Sequence, residues 1–374
     1  MKVFKRKSCL FFAFTIASVL LLLFLGIDRT NNLPVFKGLN QQESQKKKKN
    51  YIKWVDFNVT YEALDQAYRY DVELHDTKTP VHWIELLAYL GAKYGGNFSS
   101  YQEKDMCDLV EKLKGKETIK TLTKDMKYYK YYYEVYSAVL GGYVGEYEIA
   151  KNKSTDNIIS TNRKKKGKKQ NTIFEKRYGL KAFLPIAKGF GYCEYDDFGA
   201  SRSYGYNRPH LGHDMMGLIG TPIIAVESGY VEAIGWNQYG GWRLGIRSFD
   251  KKRYYYYAHL RQNAPYAEGL KEGSIVTAGD VIGYMGHTGY SAKENVNNID
   301  CTHLHFGIQI IFDESQKEGN NEIWIDCYAL TRFLSRNSSE TVKVGDSKEW
   351  VRVYEMKDPI IEKYVDKIRN RKIQ

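Results

Sequence analysis

From about Lys176 to Ile311 the chain is written as short runs of strand-forming residues separated by glycine turns, and that rhythm decides its fold class. Ile223–Val226, Gly229–Ile234, Trp242–Ile246, Tyr254–Ala258, Val281–Tyr284 and His305–Ile311 are each of single-strand length, and Val276 marks a further strand. Spacing of this kind indicates antiparallel sheet. In a strand, side chains two apart share a face. His303 and His305 of Thr302-His-Leu-His-Phe306 therefore project together, while Leu304 and Phe306 pack on the other side.

The rest of the chain reads differently. Lys2, Lys5, Arg6 and Lys7 precede an uncharged run from Ser8 to Ile27. At 1.5 Å per residue, about twenty residues span a hydrocarbon core of roughly 30 Å. The flanking positive charges favour an N-terminus held in the cytoplasm. A cleaved signal peptide would have a shorter apolar core ending in small residues, whereas this run ends in Leu-Leu-Leu-Leu-Phe-Leu-Gly-Ile. An uncleaved single-pass anchor over residues 1–28 is expected, with the bulk of the chain outside the cytoplasm. Residues 29–50 are polar, end in Lys46–Lys49, and read as a stalk.

Residues 51–150 read as a helical domain. Thr79 and Pro80 suit an N-cap and first helical position, and Trp83, Leu86, Leu87 and Leu90 form one apolar stripe before Gly95-Gly96. Ser100 and Glu103 have capping-box spacing, with Gly115 as the stop. Tyr128, Tyr132, Tyr136 and Val139 form a second stripe, of core type. Residues 151–175 are poor in apolar residues and carry Arg163–Lys166 and Lys168–Lys169, which reads as a basic linker between domains. A mainly β domain over 176–335 and a helical tail over 336–374 complete an α+β chain. His75 and His82 have no partners at ligand spacing.

With 56 Lys and Arg against 44 Asp and Glu, the formal charge is +12. Much of the excess sits in the short runs. It suits a solvated surface or attraction to an anionic polymer or lipid headgroups, and the extracytoplasmic placement argues against nucleic acid. Five scattered cysteines with no CxxC pair do not make a disulfide scaffold. A disulfide among Cys107, Cys193, Cys301 and Cys327 is not assignable from sequence.

Six of the eight histidines lie between His210 and His305, which a core or surface role explains poorly. Catalytic zinc takes three protein ligands from His, Asp, Glu or Cys and keeps a fourth position open. His210 and Asp214, four apart across Gly212, can both face an ion if the chain bends there. Either His303 or His305 then completes the set, and spacing does not say which. His259 and the remaining histidine of the pair are left for proton transfer or oxyanion stabilisation.

Taken in order, His210-Leu-Gly-His-Asp214, Gly220-Thr-Pro-Ile-Ile-Ala-Val-Glu-Ser-Gly229, Tyr257-Ala-His-Leu260, Gly286-His-Thr-Gly289 and His303-Leu-His-Phe306 resemble the lysostaphin-type (LytM-like) zinc endopeptidases. The resemblance covers roughly residues 181–311. It implies a mainly antiparallel peptidase domain of duplicated-hybrid-motif type with a groove, one Zn2+ per chain held by His210, Asp214 and His305, and His259 and His303 as the catalytic pair. The implied activity is zinc-dependent cleavage of the peptide stems or cross-bridges of peptidoglycan. The alternatives are a catalytically silent wall-binding scaffold, or an activator of another wall hydrolase through a protein partner of the helical domain. Three departures stand out: a longer polar segment from Ala292 to Thr302, expected as a loop at the groove rim; Thr302 where proline is commoner; and His287 where a smaller polar residue is commoner. Cys301 and His213 are minor ligand candidates. The anchor, stalk and peptidase motifs together resemble the layout of membrane-anchored cell-wall proteins of spore-forming Gram-positive bacteria.

Overall fold

The computed structural model describes residues 51–151, 172–203, 207–317, 319 and 321–371. The expected membrane anchor (1–28), the stalk (29–50) and the Arg163–Lys169 run lie outside the described residues. Among the described residues, no helix is long and apolar enough to cross a membrane.

The helical part is built on caps and stripes, though not always those the sequence suggests. Thr60 accepts from the Ala63 N–H and opens the helix Tyr61–Leu74. The next helix runs Trp83–Tyr94 and starts three residues beyond Pro80. The reason is tertiary: Asp71, buried in the preceding helix, accepts the Trp83 N–H at 2.9 Å and takes the cap that Thr79 was expected to supply. Gly95, at φ 62°, ends that helix as its sequence suggests. The Ser100–Glu103 box does not form, because Ser100 closes the short 3-10 turn Phe98–Ser100 and the helix Glu103–Lys114 follows Gln102 without a side-chain cap. In the helix Tyr129–Leu140, Tyr132, Tyr136 and Val139 are buried, whereas Tyr128 precedes the helix and is exposed.

Residues 144–150, expected as the end of the helical domain, form a strand. It pairs antiparallel with Phe174–Leu180, from Val144 opposite Leu180 to Ala150 opposite Phe174. The basic segment thus joins two strands of one hairpin. Met356–Lys357 adds a third strand on the other edge. The tail, expected as helical, first makes a hairpin of Thr341–Lys343 with Trp350–Arg352 and only then the helix Pro359–Arg371. Its alternating Trp350 and Arg352 have a neighbouring surface to pack on: Arg352 lies over the Phe183 ring and donates to the Ala278 carbonyl.

The β part follows the sequence reading closely. Its main sheet has eight antiparallel strands. Their spatial order is Ile275–Val276, Gly229–Asn237, Gly241–Ser248, Arg253–Ala258, His303–Ile310, His213–Met216 and Cys193–Glu194. Ile323–Ile325 pairs with the far end of the His303–Ile310 strand. One face packs Leu244, Ile246, Tyr255, Tyr257, Leu304, Phe306 and Ile308 into the core. That core is continuous with the helical part: Trp83 stacks on Phe333 at 5.7 Å, and both belong to one buried cluster that also holds Tyr136 and Phe306. Residues from Tyr51 onward form one unit.

Candidate metal centre

The site stands on the opposite face of this sheet. Gly212 permits it: a Cβ there would lie 2.6 Å from His305 Nε2 and 2.9 Å from the Phe306 carbonyl oxygen, so only glycine lets the His210–Asp214 segment lie against the neighbouring strand. In the ladder Asp214 sits directly opposite His305, and Met216 opposite His303. Cross-strand partners bring their side chains within reach of each other.

Three donor atoms converge. His210 Nε2 is 2.8 Å from His305 Nδ1 and 3.1 Å from Asp214 Oδ1. His305 Nδ1 is 3.0 Å from the same oxygen. Ligands set tetrahedrally at about 2.0–2.1 Å from zinc lie roughly 3.3 Å apart. Two imidazole nitrogens and one carboxylate oxygen at this spacing fit a zinc-sized cation. His210 Nε2 and His305 Nδ1 thus meet at 2.8 Å beside Asp214 Oδ1, an arrangement that a cation between them would bridge.

Other groups orient these three. His210 Nδ1 donates to the Asp197 carbonyl oxygen at 3.1 Å, which turns Nε2 inward. Arg202 donates to Asp197 Oδ2 at 2.6 Å and to Asp214 Oδ2 at 3.2 Å. One oxygen of Asp214 is therefore engaged outward while Oδ1 faces the centre. Burial would raise the Asp214 carboxyl, but hydrogen bonds from His210 and His305 outweigh it and hold the group well below the usual carboxylate range. Burial pushes the His305 imidazole down, against the pull of Asp214. Both therefore have the charge state a divalent cation requires.

His259 and His303 flank this trio. Their rings are 4.7 Å apart, and His303 Nε2 is 3.6 Å from Asp214 Oδ1. His259 Nδ1 donates to the Thr288 carbonyl at 2.9 Å and His303 Nδ1 to the Cys301 carbonyl at 2.8 Å, leaving each Nε2 as the free acceptor. His259 holds φ 60°, a left-handed conformation that costs of the order of 1–3 kcal/mol. Its N–H to the Gly240 carbonyl and its own carbonyl to the Gly286 N–H keep it there. Burial, then the nearby His303 and His305, hold the His259 imidazole well below its ordinary value, so it stays neutral at neutral pH.

All five residues line a groove of about 770 Å³. The minor candidates lie elsewhere. His213 turns away and bonds Glu194 Oε2 at 2.9 Å. Cys301 lies ahead of the strand, exposed, and contributes only its carbonyl. Cys107, Cys193 and Cys327 are likewise free thiols. His287 Nδ1 donates to the Ile299 carbonyl at 2.7 Å. The segment from Ala292 to Thr302 does not line the groove. Its Asn295 and Asn297 are pinned to Gln262 and Asn263 instead, and Tyr290 just before it reaches the groove wall. His75 stacks on Tyr178 and His82 is exposed, both away from the site. Asp197 and Arg202 were not singled out from the sequence, because Asp197 lies in irregular chain and Arg202 in the three-residue strand Ser201–Ser203, too short to show a period.

Residues 208–321 match the model of Peptidase family M23. An L-Ala–D-Glu endopeptidase of Bacillus subtilis is 38% identical over 153 residues, covering 41% of this chain and 43% of its own length. Lysostaphin of Staphylococcus staphylolyticus is 36% identical over 121 residues, covering 32% and 21%. The chain thus spans under half the length of either relative. A crystal structure of a LytM from Ruminococcus gnavus overlaps 77% of this chain and 92% of its own at a TM-score of 0.48, with 20% identity.

Proposed function

From the premise that the chain carries a Peptidase family M23 domain, we propose that it is a zinc-dependent endopeptidase that hydrolyses peptide bonds of bacterial peptidoglycan. The observation that carries this reading is the convergence of His210, Asp214 and His305 in a groove also lined by His259 and His303. His210, Asp214 and His305 would hold one Zn2+. The ion would supply a Lewis acid and a lowered pKa for water at the open position. The chain's own part is to hold and move protons. His259, kept neutral by burial, accepts a proton at Nε2, and His303, oriented through Cys301, would steady negative charge growing on the scissile carbonyl oxygen once its own Nε2 carries a proton. The names of the relatives, an L-Ala–D-Glu endopeptidase and lysostaphin, support a substrate in the wall. Placement outside the cytoplasm, on a single-pass anchor of the kind found in wall proteins of spore-forming bacteria, is part of the same proposal and rests on residues 1–28 of the sequence.

The test is digestion of purified peptidoglycan by the full chain with zinc, reading new amino termini by mass spectrometry. New termini that disappear with a chelator and return with zinc are expected. A folded, zinc-loaded chain that makes none across several wall types would overturn the reading in favour of a silent scaffold.

A further inference from the structure

The strand His303–Ile310 puts His303, His305, Gly307 and Gln309 on the groove face. The first two serve the metal centre. Gly307 has no side chain, and the space over it is filled from elsewhere. A Cβ there would lie 2.8 Å from Trp324 Cζ3, 3.2 Å from Trp324 Cε3 and 3.1 Å from the Leu211 carbonyl oxygen. Trp324 comes from the neighbouring strand Ile323–Ile325, where it stands opposite Gln309. It lies beyond residues 208–321, the part that the family model matches. Its indole therefore comes next in line after His305, two residues and about 7 Å along the strand.

Tyr256, opposite Gly307 on the other side, completes an aromatic corner. Its ring meets the Trp324 ring at 6.1 Å and 79°, and the His305 ring at 5.9 Å and 76°. Leu211, exposed, lines the same groove. Both rings are held in place. The indole N–H donates to Glu322 Oε2 at 2.7 Å, and Asn237 donates to the Tyr256 hydroxyl at 3.4 Å. Trp324 and Tyr256 are half-buried and line the groove, so each keeps surface open to it.

The rim of this corner is polar and carries both signs of charge. Lys317 and Glu322 line it, and Gln309 ties the Lys317 carbonyl at 3.1 Å. An apolar peptide side chain would strip water from that rim without replacing its hydrogen bonds. A lone charged group would meet a like charge there. A pyranose ring suits both parts. Its C–H face is drawn to the negative face of an aromatic ring, and its hydroxyls donate and accept at the edge.

We propose that Trp324, with Tyr256 and Leu211, forms a sugar subsite beside the metal centre that takes a pyranose ring of the wall glycan. This deepens the function proposed above and rests on it: the preferred substrate is a peptide that still carries its sugar.

The test is equilibrium binding to the full zinc-loaded His303→Ala chain, which needs no turnover. The two probes are N-acetylmuramyl-L-alanyl-D-isoglutamyl-L-lysine and the same peptide ending in its lactyl group without the sugar. The sugar is expected to tighten binding about tenfold. The ratio between the two probes cancels any general loss of affinity, so it is read again in Trp324 variants of the same chain. Trp324→Leu keeps apolar bulk and should bring the ratio to about one. Trp324→Phe should restore part of it, which a merely structural role for the indole would not produce. Equal binding of the two probes, or a folded, zinc-loaded Trp324→Leu chain that keeps the full preference, would overturn the subsite. A sugar preference in binding, with no new amino termini released from peptidoglycan by the wild-type chain, would keep the subsite and overturn the enzyme.

Discussion

At the scale of single residues, the four histidines and the aspartate divide by what their second atoms do. His305 faces Asp214 across the ladder and puts Nδ1 into the centre, whereas His303 is turned by the Cys301 carbonyl and stands off Asp214 at 3.6 Å. His305→Ala should therefore lose tight zinc binding and activity together. His303→Ala should keep its metal by elemental analysis and lose roughly 10²–10⁴-fold in kcat. Full metal content in the His305 variant would break this assignment. The lowered His259 imidazole sets a pH expectation. A base held below its ordinary value of about 6.5 is still neutral there. In zinc-saturated buffer kcat/KM should hold steady as pH falls through 6.5 and drop only below it. An acid limb centred at or above 6.5 would contradict the environment described for His259. Sequence alone brought these residues to attention because period-two alternation and clustered histidines are visible along the chain. It could not choose between His303 and His305, since that choice depends on the register against Asp214, a property of two strands and not of one. Asp197 and Arg202 were invisible for a related reason: their roles come from an irregular segment and a three-residue strand folded back onto the site.

At the scale of elements, most strands of the main sheet were legible, whereas the strand at residues 144–150, the tail hairpin and the helix starts were not. A strand run announces itself by composition and by the glycines that bound it. A helix start is settled by whichever acceptor reaches the first free N–H groups, and at Trp83 that is Asp71 from another helix. A comparable long-range tie links the sheet to the helices. Arg253, buried, donates to both Glu227 oxygens at 2.7 and 3.0 Å and to the Ala138 carbonyl at the end of the Tyr129–Leu140 helix at 2.6 Å. Glu227 also accepts from Tyr255, and a Cβ at Gly142 would overlap its carboxylate. Arg253→Met removes one member and leaves Glu227 buried and uncompensated. It should cost about 3–5 kcal/mol in denaturant unfolding. A loss under about 1 kcal/mol would mean that Glu227 finds water or becomes neutral at little cost.

At the scale of the whole molecule, the sequence suggested a helical domain and a β domain joined by a basic linker. The composition change is real, but composition cannot show that residues 144–150 and 174–180 pair with each other. The fold places the helices, the hairpin and the sheet on one buried cluster. Antiparallel neighbours lie about 4.5–5.5 Å apart at their Cα atoms, and Ala150 stands opposite Phe174. The two ends of the basic segment are therefore fixed side by side. Protease cleavage within residues 152–171 would cut the chain's continuity without freeing either piece. The nicked protein should elute from a sizing column as one species with its zinc and activity, and should separate into two fragments only in denaturant.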